Sequence, residues 1–581
     1  MKIKMAQSSG FCMGVRRAME MALDAVHRRL GPIYSYGPLI HNPQAMDLLA
    51  AKGLKATEAR TGEYDRIAEG TVIIRAHGVP PAERRYLETR GFQIIDATCP
   101  RVVRVQTIIR RHTEEGYAAI IWGSPDHPEV VGLLGHAAGR GYVVRDAEDV
   151  AGLPELDRVI LVAQTTQNKS RFDQVAGAVR ARWPGALVFD TICEATESRQ
   201  EDARGLAREV QALVVVGGHA SGNTQRLAAV ARAEGVRTIH IETEAELDPE
   251  FLAGVESVGV TAGASTPNWM IKRVIRGLER LARRSDTSWR GRIHRLLRAS
   301  ILSNVYGALG AGALCLAGAM LQGLEPKPEY LAVTFFYVHA MHMLNNFLDK
   351  EASQFNDPDR ALFLDKHKTL LLSSGLFSAA VSLILGLSLG WKVLLLLLVM
   401  TTLGLLYAVP LVPRAWPTRI KRLKDIPSSK TLSLAGGWSV TLSLLPALSP
   451  EGRLTSATVL VALIVFLLVF IRAALEDIMA IQGDRIVGRE TIPIIIGEEK
   501  TLWMLTVTTG LEAALLAAGH IAGLFTSLAL FLLACAAYSF LYLHLFQRRQ
   551  FYSSVFFEAF IDANFLLAGL LAWLWAWLFK G

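Results

Sequence analysis

The 581-residue chain has five cysteines, and no two of them form the close Cys-x₂₋₄-Cys pair on which structural zinc sites draw. An odd, scattered set of thiols also speaks against a disulfide framework. The opening "MKIKMAQSSG" has no apolar run of the kind a secretion signal carries, so the N-terminal half is expected to stay in the cytoplasm. Neither a Walker loop nor a dinucleotide-binding fingerprint occurs, which leaves no signal for a bound nucleotide cofactor. Charge is scarce as well, but only in one half. From about residue 300 onward long apolar segments dominate, several reaching the roughly 20 residues needed to cross a bilayer.

Residues 1 to about 285 read differently. Charged helical stretches alternate with short apolar runs such as "TVIIRA", "AAIIWG", "RVILVA" and "ALVVVGG", the pattern of an α/β protein. Between the halves, Lys272 to Arg298 holds ten Lys or Arg against two acidic residues. Its place just before the first apolar span points to anionic lipid rather than nucleic acid, and puts that side in the cytoplasm. The expected domains are 1–282, a basic juxtamembrane linker 283–300, and a membrane domain 301–581.

Nine spans are expected, at about 302–323, 329–348, 369–389, 392–412, 431–449, 455–476, 501–521, 525–546 and 556–578. With the N-terminus inside, the loops 349–368, 413–430, 477–500 and 547–555 fall on the cytoplasmic side and carry the basic residues. Cys315 and Cys535 lie within spans and read as packing residues. Two boundary segments, "NNFLDKEASQFNDPDR" and "RAALEDIMAIQGDRIVGRETIPIIIG", hold polar groups that an anchor does not need. Asn345 and Asp349 are one helical turn apart, and Asp477 and Asp484 two turns, so each pair shares a helix face. Facing carboxylates suit Mg²⁺ bridging to a diphosphate, with Lys424, Lys430, Arg472 and Arg485 placed to neutralise a leaving group. Solvated helix caps are the plainer alternative.

Those segments, with "LYAVPLVPRAWPTRIKRLKD" and the span count, resemble the UbiA superfamily of intramembrane prenyltransferases over about 300–578. The resemblance implies transfer of a prenyl group from its diphosphate to a membrane acceptor. Ser353 stands where the family usually has a third acidic residue, and Asn346 and Ala480 where it often has aspartate.

The soluble half spends three thiols on similar contexts, "SSGFCMGVRR", "IIDATCPRVVRV" and "FDTICEATESRQ": a strand-like run, a turn, the cysteine, then a helix. Cys12, Cys99 and Cys193 lie 87 and 94 residues apart, as three α/β units each lending one thiol to a common centre. Spacing alone leaves an iron–sulfur cluster, a zinc ion and unrelated thiols open. Helix N-termini and the nearby Arg16 and Arg17 favour thiolate. His41, His77 and His127 each end a strand-like run. "GGHASGNTQRL" (Ser221, Gly222, Asn223) and "VTAGASTPNW" (Ser265, Thr266) are turns into helices, ready-made anion sites. Glu129 is a candidate proton donor, with Thr165 and Thr166 as relays.

The ordered motifs "GFCMGV", "HN", "AHGV", "DATCP", "HPEVVG", "QTT", "DTICEAT", "SGNTQRL" and "VTAGAS" resemble the 4-hydroxy-3-methylbut-2-enyl diphosphate reductase family over residues 1 to about 282. The resemblance implies a pseudo-threefold α/β trefoil and a 4Fe–4S cluster on Cys12, Cys99 and Cys193. It implies diphosphate held by His41, His77, His127, Ser221, Gly222, Asn223 and Ser265. Catalysis would involve Glu129, Thr165 and His127, giving isopentenyl and dimethylallyl diphosphate, the last step of the methylerythritol phosphate route. Gly222 stands where members often have a second serine. Ferredoxin or flavodoxin is the expected reductant.

The whole chain is therefore expected to be an iron–sulfur reductase fused to an all-α nine-helix transmembrane bundle in the cell inner membrane, with the reductase in the cytoplasm. A membrane anchor without transfer activity and a cluster-based redox sensor are the competing readings.

Overall fold

The computed structural model describes residues 1–580 except 29, 59–60, 68, 284–288, 349–354, 410–421 and 549–553. It divides into two compact units, Met1–Ser285 and Asp286–Gly581.

Unit 1 has twelve strands: β1 (Lys2–Met5), β2 (Ile33–Tyr36), β3 (Leu54–Ala56), β4 (Thr71–Ile74), β5 (Gln93–Asp96), β6 (Ala118–Trp122), β7 (Gly141–Val144), β8 (Val159–Ala163), β9 (Leu187–Val188), β10 (Ala212–Val216), β11 (Arg237–Ile241) and β12 (Ser257–Ala262). Between them run α1 (Met13–His27), α2 (Pro43–Ala51), α3 (Thr61–Tyr64), α4 (Pro81–Thr89), α5 (Pro100–Glu114), α6 (Pro128–Gly135), α7 (Lys169–Arg182), α8 (Glu194–Glu209), α9 (Gly222–Ala233) and α10 (Asn268–Arg283). The strands form three four-stranded sheets, in the orders β1-β12-β10-β11, β3-β2-β4-β5 and β7-β6-β8-β9, and every pairing is parallel. The central runs TVII, AAIIW, VILVA and ALVVV are buried residue by residue, as a parallel sheet covered on both faces requires.

The three sheets are versions of one plan. In two of them the chain enters at an inner strand, adds the outer strand, crosses to the other inner strand and finishes on the far edge: β2, β3, β4, β5 and β6, β7, β8, β9. In the third it runs β10, β11, β12, and the far edge is supplied by the N-terminal strand, with Lys2 opposite Ser257 and Met5 opposite Val260. The lobes are therefore not consecutive thirds of the sequence. The first residues close the last lobe.

Unit 2 is helical: α11 (Trp289–Leu302), α12 (Val305–Leu321), α13 (Pro328–Leu348), α14 (Pro358–Lys366), α15 (Lys368–Ser388), α16 (Trp391–Ala408), α17 (Ser429–Leu448), α18 (Ser456–Val487), α19 (Ile492–Ile496), α20 (Glu498–Ile521), α21 (Leu528–Gln547) and α22 (Ser554–Lys580). Among the described residues six are long and apolar enough to span a membrane, and a seventh if the segments 291–302 and 305–321, bent by 72°, count as one. The expected count of nine is thus not met by length and composition alone. α12 and α16 are short, and His339, His342, Asn345 and Asn346 dilute the apolar character of α13. This unit is the membrane-embedded part of the chain. Its core joins Trp438, Phe565, Leu442, Val469 and Tyr330.

Candidate functional site

Parallel strands end on one edge of their sheet, and loops at that edge carry ligand contacts. In unit 1 each lobe contributes three such loops. After the edge strands β1, β5 and β9 come Cys12, Cys99 and Cys193, each the N-cap of its helix (α1, α5, α8). The three backbone N–H groups donate to equivalent carbonyls two residues past the neighbouring strand: Cys12 to Ala264 (3.1 Å), Cys99 to Ala76 (2.9 Å) and Cys193 to Thr165 (2.8 Å). All three are free thiols, half-buried. Gly14 explains how they approach: a Cβ there would lie 2.5 Å from Cys99 Sγ. Gly10 sits at φ +97°, and its carbonyl accepts from Arg199 at 2.8 Å.

Arg199 was not singled out in the sequence. Buried on α8, it also donates to Ala262 O at 3.1 Å and feels the charges of Cys12 and Cys193. Its signal is positional: with Thr196, Gln200 and Ala203 it lies on the stripe that α8 buries, where a cation is out of place. Arg17 donates to Thr98 O at 3.0 Å, so it fastens the turn before Cys99. Burial pushes the Cys99 thiol up, against the pull of the backbone N–H groups of Arg101 and Val102, and Cys12 and Cys193 add to the rise. Three half-buried thiols at helix N-termini, with Cys12 and Cys193 both acting on Cys99 and a cradle that a single Cβ would fill, fit a multi-thiolate metal group better than scattered packing cysteines.

The remaining loops build a polar pocket. His127, N-cap of α6, accepts from Glu129 N at its Nδ1 (3.2 Å), which leaves the ring proton on Nε2. The rings of His41, His77 and His127 lie 4.7, 5.4 and 5.7 Å apart, with one nitrogen of each within 4.8 Å of the others. Burial lowers all three pKa values, that of His127 to about 4 and that of His77 well below its ordinary value. Neutral imidazoles so placed could take a transition metal or offer N–H groups to an anion. The surroundings favour the anion. Ser221 caps α9, Asn223 Nδ2 is buried without a protein partner, and so is His41 Nε2. Ser265 donates to His41 O at 3.0 Å, tying two lobes together at the pocket. Thr266 is different: its hydroxyl goes to Val216 O (3.0 Å) and is structural.

Glu129 is 2 % exposed, and its carboxylate accepts from Thr165 N (2.7 Å) and Thr165 Oγ1 (3.0 Å). Burial raises its pKa; those two bonds and the charge of Arg226 work the other way. Thr165 thus touches Glu129 through its N–H and hydroxyl, and Cys193 through its carbonyl.

In unit 2 the second candidate site is only partly as expected. Asp349 and Ser353 lie outside the described residues. Asp477 and Asp484 do share a face of α18, and Lys430 reaches both, at 2.7 Å from Asp477 Oδ1 and 3.7 Å from Asp484 Oδ2. Thr431 Oγ1 donates to Asp477 Oδ2, and Asn356 Nδ2 to Asp484 Oδ1 at 2.8 Å. Asp484 Oδ2 and Asn345 Oδ1 are buried oxygens with no hydrogen-bond partner. Arg485 follows Asp484, and Lys424 lies in the turn before α17. Arg472 departs from the expectation. Its guanidinium is held by Asp562 (2.6 and 3.3 Å) and Glu476 (2.9 Å), a tie between α18 and α22 that engages it with carboxylates. Asp562 lies 90 positions further along the chain, so the sequence offered no sign of this pairing.

Residues 3–279 match the family model described as LytB protein, and residues 311–564 that of the UbiA prenyltransferase family. The 4-hydroxy-3-methylbut-2-enyl diphosphate reductase of Opitutus terrae is 44 % identical over 293 residues, covering 48 % of this chain and all of that protein. A solved (E)-4-hydroxy-3-methyl-but-2-enyl diphosphate reductase shares 40 % identity over 48 % of this chain and 100 % of its own, with TM-score 0.40. A UbiA homolog from Archaeoglobus fulgidus bound to GPP and Mg²⁺ shares 14 % identity, covering 48 % of this chain and 97 % of its own, with TM-score 0.35.

Proposed function

The chain belongs to the LytB family of 4-hydroxy-3-methylbut-2-enyl diphosphate reductases through residues 3–279, fused to a UbiA-family domain, and from that premise we propose how its residues divide the work. The overall change takes up two electrons and two protons, loses the substrate hydroxyl as water, and leaves isopentenyl or dimethylallyl diphosphate. Cys12, Cys99 and Cys193 are the ligands of a 4Fe–4S cluster, which when bound supplies electrons singly and Lewis acidity. His41, His77, His127, Ser221, Asn223, Ser265 and the Gly222 N–H hold the diphosphate. Neutral histidines serve as N–H donors here, and His127 is fixed in the donating tautomer by its Nδ1 bond. Glu129 holds a proton because it is buried, and releases it toward the hydroxyl with the Thr165 N–H and hydroxyl ready for the carboxylate left behind.

The observation that carries this reading is the Thr165 junction, one residue touching both the buried acid and a cluster thiol's backbone. Its test is Glu129→Gln: turnover with a reduced one-electron donor should fall about 10²-fold or more while iron content stays that of wild type. Unchanged turnover removes Glu129 from the role. The electron donor is ferredoxin or flavodoxin.

The membrane domain acts as a prenyltransferase. Asp484 and Asn345 offer the hard oxygens Mg²⁺ prefers, with Asp349 in the same set. Lys430 supplies a second positive charge beside Asp477, and Lys424 and Arg485 flank the leaving diphosphate. A catalytically silent anchor is favoured by one observation, that Asp477 is already satisfied by Lys430 and Thr431. Asp484→Ala separates the two: loss of membrane-associated prenylation supports transfer, and no change supports the anchor. Nine crossings of the inner membrane, with the reductase of residues 1–282 in the cytoplasm beyond the linker 283–300, complete the proposal; the six or seven helices long and apolar enough to span among the described residues support a membrane domain.

A further inference from the structure

Arg226 has no part in the site so far, yet it lies in it. It sits one turn into α9, four residues after Gly222, and its Nη1 is 3.5 Å from Thr166 Oγ1, a long hydrogen bond across two lobes. It makes no ion pair among the described residues, although Glu129 and His127 both feel its charge. Gly222 marks where the guanidinium stands: a Cβ at 222 would lie 3.4 Å from Arg226 Nη1, an ordinary van der Waals contact, so the cation is beside the first residue of α9. Gly222 lies between the Ser221 cap and Asn223, whose buried Nδ2 has no hydrogen-bond partner. A half-buried guanidinium without a carboxylate, next to backbone N–H groups aimed at an anion, is itself built to bind an anion.

We propose that Arg226 is an additional ligand of the substrate diphosphate, reaching it from beside Gly222. The inference rests on the diphosphate reading of the histidine pocket. Bound there, Arg226 links the anion to Thr166, and its charge lies near the carboxylate that Glu129 becomes on giving up its proton.

The test is binding of inorganic pyrophosphate to the full, cluster-loaded chain by calorimetry, without turnover, in wild type, Arg226→Gln, Arg226→Lys and His77→Asn. Arg226→Gln should weaken binding at least about tenfold, the size of a lost charge-assisted bond, and Arg226→Lys should recover part of it. Binding to Arg226→Gln equal to wild type, or Arg226→Lys as weak as Arg226→Gln, overturns the inference. His77→Asn should also weaken binding, and this arm tests the pocket itself. If wild type binds no pyrophosphate, the diphosphate reading falls and Arg226 with it. Equal melting temperatures among the variants show that a loss belongs to the site and not to unfolding.

Discussion

His41, His77 and His127 are kept neutral by burial, while the same burial pushes Glu129 toward its protonated form. One dry pocket thus prepares both a donor set for an anion and an acid. The histidines also tie stability to pH. His127 has a pKa of about 4 when folded, below its ordinary 6.5, so between those values the unfolded chain takes up a proton that the folded chain refuses. Stability from this source is whole above pH 6.5 and drains as the pH falls toward 4. The melting temperature of the full chain should drop over that interval, and less steeply in His127→Gln. An identical pH dependence in the two proteins would contradict the assignment. Most of these residues were legible in the sequence, because each sits alone in a short motif at the end of an apolar run. Arg199 and Arg226 were not, because a cation's burial depends on neighbours from other lobes.

At the scale of elements, the close approach of α1 to Cys99 is the feature most open to attack. Gly14→Ala places a Cβ 2.5 Å from Cys99 Sγ and 3.0 Å from Cys99 Cβ. The helix must shift, and iron and sulfide per chain should fall well below wild type; undiminished iron would show that the approach is not needed. In unit 2, Asp562→Ala removes two of the hydrogen bonds that hold the buried Arg472 between α18 and α22, leaving Glu476 as its close partner. Loss of hydrogen bonds to a charged group costs about 1.5–3 kcal/mol, so the detergent-solubilised protein should melt a few degrees lower. An unchanged melting temperature would mean that the pair is solvated. The pattern of strands and helices around the three thiols could be read from periodicity. The identity of the edge strand in the third sheet could not, since "KIKM" is four residues long, carries two charges, and pairs with a segment some 255 positions away. Six of the expected spans are helices long and apolar enough to cross a membrane among the described residues; α13, with its polar residues, does not pass by that measure.

At the scale of the molecule, a domain that makes C5 prenyl diphosphates is joined to one whose family consumes prenyl diphosphates. The basic stretch from Lys272 to Arg298 predicts that the reductase site and the proposed transferase site both face the cytoplasm. A protease added to sealed right-side-out vesicles should spare the reductase domain and should destroy it in inverted ones; the reverse pattern would contradict the orientation. The central claim is that unit 1 is a working reductase within this fusion. Its most direct test is anaerobic turnover of 4-hydroxy-3-methylbut-2-enyl diphosphate by the purified full chain, with a reduced one-electron donor and analysis of the products. The account predicts isopentenyl and dimethylallyl diphosphate together, with turnover abolished in Cys99→Ser. A chain that carries its iron and sulfide yet leaves the substrate unchanged would contradict it.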